Sequence, residues 1–157
     1  MRGNDQVIAQ LNQALKEELT AINQYFLHAE MCDNWGYHRL GSYIKKQSID
    51  EMKHAEVIIE RLLFLDATPK MEYMELTIGA NVKAQLEADL KLEHSAVAMY
   101  NKSVQIAREA GDDTSRDIFS KLLKEGRGVE TGVRFEHFVV GGRTLHGAIG
   151  PGRTSEP

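Results

Sequence analysis

Between Asp5 and about Asp33 the apolar side chains Val7, Ile8, Leu11, Leu15, Leu19, Ile22, Tyr25, Phe26 and Ala29 fall three or four residues apart, with no proline or glycine among them. That spacing lays one continuous apolar face along a helix and commits the segment to packing against others of its kind. Gly36 punctuates its end. The periodicity returns from about His38 to Leu65, with Leu40, Tyr43, Ile44, Ala55, Ile58, Ile59, Leu62 and Leu63 inward, and from about Asn81 to Ala110, with Leu86, Leu90, Val97 and Tyr100. Gly111-Asp112-Asp113 reads as a turn, and Thr114-Ser115-Arg116-Asp117 resembles a capping box opening a fourth helix. Strand signals are nearly absent, so the chain is predicted to be all-α.

The connections choose the topology. Helices one and two, and three and four, are joined by a few residues, which makes each pair an antiparallel hairpin. The link from Asp66 to Ala80 is different, and it carries Pro69 and Gly79. Extended, its roughly fifteen residues reach ~50 Å, whereas a helix of about 25 residues is ~37 Å long. The link can therefore cross the whole bundle. Two hairpins joined by one long crossover form the ferritin-like four-helix arrangement.

Composition breaks at Gly126. The residues from there to the end hold eight of the 13 glycines, two of the three prolines, one leucine (Leu145), four arginines and no lysine. Gly126, Gly128 and Gly132 each cost a continuing helix about 1 kcal/mol relative to alanine. The expectation is a bundle domain over 1–125, a fourth helix truncated or frayed after about residue 125, and an atypical Gly/Arg-rich tail over 126–157. Abrupt bias after one point is what a shifted reading frame produces; a disordered divergent tail is the other reading.

The remaining composition narrows the function classes. A length of 157 residues suits one domain with a sizeable core. A net charge of −4 gives no reason to expect nucleic-acid binding. The lone cysteine, Cys32, cannot form an internal disulfide and fits a reducing compartment. The polar opening residues lack the apolar core of a signal peptide, and no run approaches a membrane span. A cytoplasmic protein without membrane association is expected.

Three carboxylates then stand where acids do not normally stand. Glu18 shares its face with Leu11, Leu15, Ile22 and Tyr25; Glu51 with Ile44, Ala55, Ile58 and Leu62; Glu93 with Leu86, Leu90, Val97 and Tyr100. Burying unpaired carboxylates costs more than a domain's net stability, so they require cations or protons. His54 follows Glu51 by three residues, which puts both on one helical face within reach of one ion. Oxygen ligands with imidazole suit iron, manganese or zinc.

The segment Leu15-Lys16-Glu17-Glu18-Leu19-Thr20-Ala21-Ile22-Asn23-Gln24-Tyr25-Phe26-Leu27-His28 resembles the first helix of bacterioferritins, and Ser48-Ile49-Asp50-Glu51-Met52-Lys53-His54-Ala55-Glu56 their second. Asp89-Leu90-Lys91-Leu92-Glu93 is similar to their third-helix motif, and Ser115-Arg116-Asp117 opens a fourth helix like theirs. The likeness covers roughly residues 1–125. It implies an iron-storage subunit with ferroxidase activity, oxidising ferrous iron with oxygen or peroxide and holding it as a ferric mineral until a reductant, unidentified here, releases it. It implies self-assembly into a shell of 24 subunits. In that scheme Glu18 is a terminal ligand to a first iron, Glu51 a bridge, His54 the first iron's imidazole and Glu93 terminal to a second, with Tyr25 close by. Met52 points about 100° round from Glu51, away from the core; the resemblance makes it the axial ligand of haem b, held between two subunits.

The fourth helix departs from the pattern. The positions that would supply a second Glu-x-x-His are Gly126 and Val129, neither of which can bind a metal through its side chain. The di-iron site is then partial, and the second expectation is a ferroxidase-impaired shell and haem-binding subunit that co-assembles with an intact bacterioferritin. A rubrerythrin would need a cysteine-rich module, and a DNA-protecting mini-ferritin commonly carries a basic tail with lysines; this chain has neither.

Overall fold

The computed structural model describes residues 2–132, with side chains to residue 126, and two dipeptide strands further on. The helices are α1 (Asp5–Asn34), α2 (His38–Phe64), α3 (Val82–Glu109) and α4 (Asp113–Gly132). The predicted all-α bundle is present: α1 and α2 form one hairpin, α3 and α4 the other, and residues 66–80 connect them as the long crossover. Beyond α4, Val139–Val140 (β1) pairs antiparallel with Arg143–Thr144 (β2), Val139 opposite Thr144. The rest of the tail lies outside the described residues.

The starts of α1, α3 and α4 are fixed by side chains that satisfy orphan amides. Asn4 Oδ1 accepts from Gln6 N at 2.9 Å and Val7 N at 3.3 Å, and Asn81 Oδ1 from Ala84 N at 2.9 Å. For α4 the cap is Asp112, whose Oδ1 accepts from Ser115 N at 2.9 Å and whose Oδ2 accepts from Ser115 Oγ at 2.7 Å. The box predicted to begin at Thr114 therefore lies inside the helix; a carboxylate directly after the turn reaches the free amides first. Gly111 closes α3 with a φ of +70°, a conformation that costs glycine little. At the other hairpin, Gly41 packs where an added Cβ would lie 2.9 Å from the Ala29 carbonyl oxygen, so its lack of a side chain sets the α1–α2 approach.

The fourth helix is the shortest of the four, 20 residues against 27 to 30, in keeping with the truncation its glycines predict. It continues to Gly132, through Gly126 and Gly128. Glycine makes a helix less favourable without forbidding it, and each added residue extends a ladder already nucleated by the preceding turns.

The crossover is held to α1 by a row of polar side chains. Backbone amides of Lys70, Met74, Thr77 and Gly79 donate to Asn12 Oδ1, Thr20 Oγ1, Gln24 Oε1 and His28 Nε2 at 2.9, 2.9, 3.0 and 3.1 Å. Gln24 Nε2 and His28 Nδ1 both contact Asp89 Oδ1 at 2.8 Å, extending the tie to α3. Because His28 Nε2 accepts from Gly79, the proton sits on Nδ1 and is donated to Asp89. Thr20, Gln24 and His28 are all buried.

Two apolar clusters form the core. One gathers Val7, Leu11, Leu15, Ile58, Leu62, Tyr100, Phe119 and Leu122, and the other Ala21, Tyr25, Cys32, Leu40, Ile44, Val82 and Leu86. Glu18 falls between the α1 members of the two sets, Glu51 between those of α2 and Glu93 between those of α3. A layer of carboxylates thus crosses the bundle between two hydrophobic halves.

Candidate metal centre

The residues that the spacing singled out converge in that layer. Glu18, Glu51 and Glu93 are buried, and His54 is half-buried. His54 Nδ1 lies 2.8 Å from Glu51 Oε2, as the three-residue spacing on α2 requires, and 3.6 Å from Glu18 Oε2. One ligand atom from each of Glu18, Glu51 and His54 lies within 4.8 Å of the others. Glu93 lines the same small cavity, of about 20 Å³, but stands outside that tight trio. Tyr25 lies close by, as expected, and its hydroxyl donates to Glu93 Oε1; the Tyr100 hydroxyl donates to Glu18 Oε1.

Protons balance this site when no cation is present. Burial, reinforced by the neighbouring Glu18 charge, raises Glu51 to about 8. Burial and then the Glu51 charge raise Glu93 to about 8. Burial alone would lower His54, but its bonds to Glu18 and Glu51 outweigh that and lift the imidazolium to about 11. Burial and the adjacent carboxylates push Tyr25 and Tyr100 well above the ordinary phenol value, so both act as hydrogen-bond donors. The donor set of two carboxylate oxygens and one imidazole, largely buried, fits a first-row divalent cation such as iron.

On the α4 side the chamber is lined by Leu122, Leu123 and Gly126, none of which offers a metal ligand. The nearest atom to a Cβ built at Gly126 is Val97 Cγ2 at 4.0 Å. The side chain of Val129 lies outside the described residues. One turn-step back, Glu125 reaches α2 instead, with Oε2 2.7 Å from His54 Nε2. It does so in a groove of about 570 Å³ between α2 and α4, lined by Tyr43, Val57, Ile118, Leu122 and the lysines 46, 53 and 121.

Sequence reasoning missed Glu125 and a second residue, Glu17. Glu17 is buried and lines the carboxylate cavity, and its Oε2 has no hydrogen-bond partner. Burial raises it, against hydrogen bonds from Gln13 and Ser95. The available signal was its position between Ala14 and Ala21, small residues that leave room on that face. Met52 stands on the outer face of α2 and is 54% exposed, next to the exposed Ile49 on the same helix; a sulfur so placed can meet a group outside this subunit.

The helix order, the crossover and the carboxylate layer define a ferritin-like protein, and the profile described as "Ferritin-like domain" matches residues 8–132. The curated relatives are bacterioferritins. The chain is 43% identical to that of Brucella melitensis over 129 residues, covering 82% of this chain and 80% of the relative. It is 40% identical to bacterioferritin BfrA of Mycobacterium tuberculosis over 126 residues, covering 80% and 79%. The solved structure of Mycobacterium tuberculosis BfrA superposes with a TM-score of 0.82 at 38% identity, covering 84% of each chain. The chain belongs to the bacterioferritin family.

Proposed function

We propose that this chain is an iron-storage subunit whose Glu18, Glu51 and His54 take up ferrous iron, with Glu93 next to them as the start of a second position. The carrying observation is the buried trio of ligand atoms within 4.8 Å of one another, assembled from α1 and α2 in the layer between the two core clusters. Iron is the cargo and the substrate. Its arrival displaces the protons held by His54 and Glu51, and the carboxylates neutralise the incoming charge. Tyr25 and Tyr100 hold Glu93 and Glu18 in place from behind. In this reading oxygen or peroxide accepts the electrons, the ferric product is laid down inside a shell of 24 subunits in the cytoplasm, and a separate reductant returns it.

Met52, exposed on α2, is the residue that would hold haem b together with its counterpart in a second copy. A thioether exposed on that outer face would be accessible to a haem iron. Bound there, haem would supply one-electron transfer.

The bare wall at Gly126 favours a specific variant of this reading. A paired oxidation needs two ions held together, and α4 offers no side chain at that position. A ferroxidase-impaired subunit that joins a shell with complete partners follows. Iron-dependent oxygen uptake by the pure protein separates the two: a fast phase of normal amplitude excludes the impaired subunit, and only slow uptake, restored by co-assembly with an intact bacterioferritin, excludes the self-sufficient one. Loss of iron binding in neither Glu51→Ala nor His54→Ala would refute the site.

A further inference from the structure

We propose that Glu125 is the positioning residue of His54: its carboxylate holds the Nε2–H, leaving Nδ1 as the nitrogen that takes a cation beside Glu18 and Glu51. This rests on the metal-binding role proposed above for those three residues.

The ring has contacts on both sides. Nδ1 faces the chamber, 2.8 Å from Glu51 Oε2 and 3.6 Å from Glu18 Oε2, while Nε2 faces Glu125 Oε2 at 2.7 Å. An ionised carboxylate can only accept, so wherever the Glu125 contact is made Nε2 carries hydrogen. A metal-bound imidazole carries one N–H. With that hydrogen committed to Glu125, the free lone pair lies on Nδ1, aimed where the two carboxylates already point.

The arrangement depends on the step between two neighbours on α4. Gly126 faces the chamber, whereas Glu125, about 100° round the helix, faces the groove between α2 and α4. The fourth helix, bare at Gly126, therefore still acts on the site through the histidine. Glu125 keeps water on its other side, with its side chain 42% exposed, so its charge needs no further compensation. A carboxylate on the far nitrogen fixes the tautomer, stops ring rotation and makes the ligating nitrogen more basic, and removing such a partner costs roughly 10–100-fold in metal affinity.

Zinc is the probe. Affinity is measured by chelator competition on the full-length protein and on Glu125→Ala, Glu125→Gln and Glu51→Ala, and the His54 tautomer is read from ring nitrogen shifts of the zinc-loaded protein. Glu125→Ala is expected to weaken zinc 10–100-fold, with Glu125→Gln between it and the parent, since an amide oxygen still accepts. The parent is expected to show an Nε2–H hydrogen-bonded tautomer, lost in Glu125→Ala. Glu125 is surface-accessible, so the metal-free helicity of the variants should match the parent; a purely structural role would change helicity and leave the tautomer alone. Equal affinities within twofold for parent and Glu125→Ala, or zinc on Nε2, overturn the proposal. A parent that binds no zinc, or binds it unchanged in Glu51→Ala, overturns the site itself; loss in Glu51→Ala with none in Glu125→Ala overturns only the role of Glu125.

Discussion

A cation can enter the Glu18–Glu51–His54 site only by displacing protons, and the structure sets how many. Near pH 6.5, His54, raised to about 11, and Glu51, raised to about 8, each hold one proton. Both must leave, so about two protons are released per ion and affinity climbs roughly 100-fold per pH unit. Near pH 9 Glu51 has already ionised while His54 has not, and the count falls to about one, a roughly tenfold slope. The measurement is calorimetric titration with zinc in buffers of different ionisation enthalpy, which counts protons directly. Glu51→Gln supplies the internal control, since without that carboxyl the count should be about one at both pH values. A release below about half a proton near pH 6.5, or the same count at both pH values in the parent, would refute the reasoning.

Other perturbations follow from the same geometry. The metal-free protein should lose stability as pH rises: Glu51, Glu93 and His54 hold protons more tightly folded than unfolded, so their contribution is complete at low pH and is lost through about 8 for the carboxyls and about 11 for the imidazole. Urea midpoints at several pH values test this, and a midpoint rising between about pH 6 and 9 contradicts it. Gly126→Ala should stabilise by up to about 1 kcal/mol, because the added methyl meets Val97 Cγ2 at an ordinary contact distance of 4.0 Å and alanine favours helix; the check is chemical denaturation of the metal-free protein. Arg61 ties α2 to the start of α4, donating to Ser115 Oγ at 2.9 Å and Asp112 Oδ1 at 2.8 Å with little exposure on either side of the ion pair. Arg61→Ala should cost about 3 kcal/mol by stranding the Asp112 carboxylate, and a loss under about 1 kcal/mol would place that pair with ordinary surface bridges. Haem binding at Met52 predicts an absorbance band that Met52→Leu abolishes without altering the helical content.

Much of this architecture is legible in the sequence, because a stripe at three-to-four spacing and an acid lying on it are one-dimensional patterns. Glu18, Glu51, His54 and Glu93 came from that rule, and the crossover from the length of the link. What the sequence hides depends on azimuth and on neighbours. The cap of α4 falls to Asp112 and not Thr114, a choice made by which oxygen reaches the Ser115 amide first. Three glycines predicted a short α4, and it is the shortest helix; its last residue, Gly132, depends on how far the ladder carries past Gly126. Glu125 reads as an ordinary acid on a polar face, and only the approach of α2 to α4 brings it to His54. Glu17 has the same difficulty, since its burial depends on how closely α3 lies against α1.

The polar row on α1 has a consequence for how this chain avoids the wrong bundle. A link of this length could pass along either flank of the first hairpin, and the two routes would seat the second hairpin in arrangements of opposite hand. Hydrophobic contact is non-directional and does not by itself choose a flank. Asn12, Thr20, Gln24 and His28 do discriminate, because they offer acceptors to the amides of Lys70, Met74, Thr77 and Gly79 on one flank alone. The first helix thus carries two instructions on two faces: one for what to bury, the other for the side on which the chain must return.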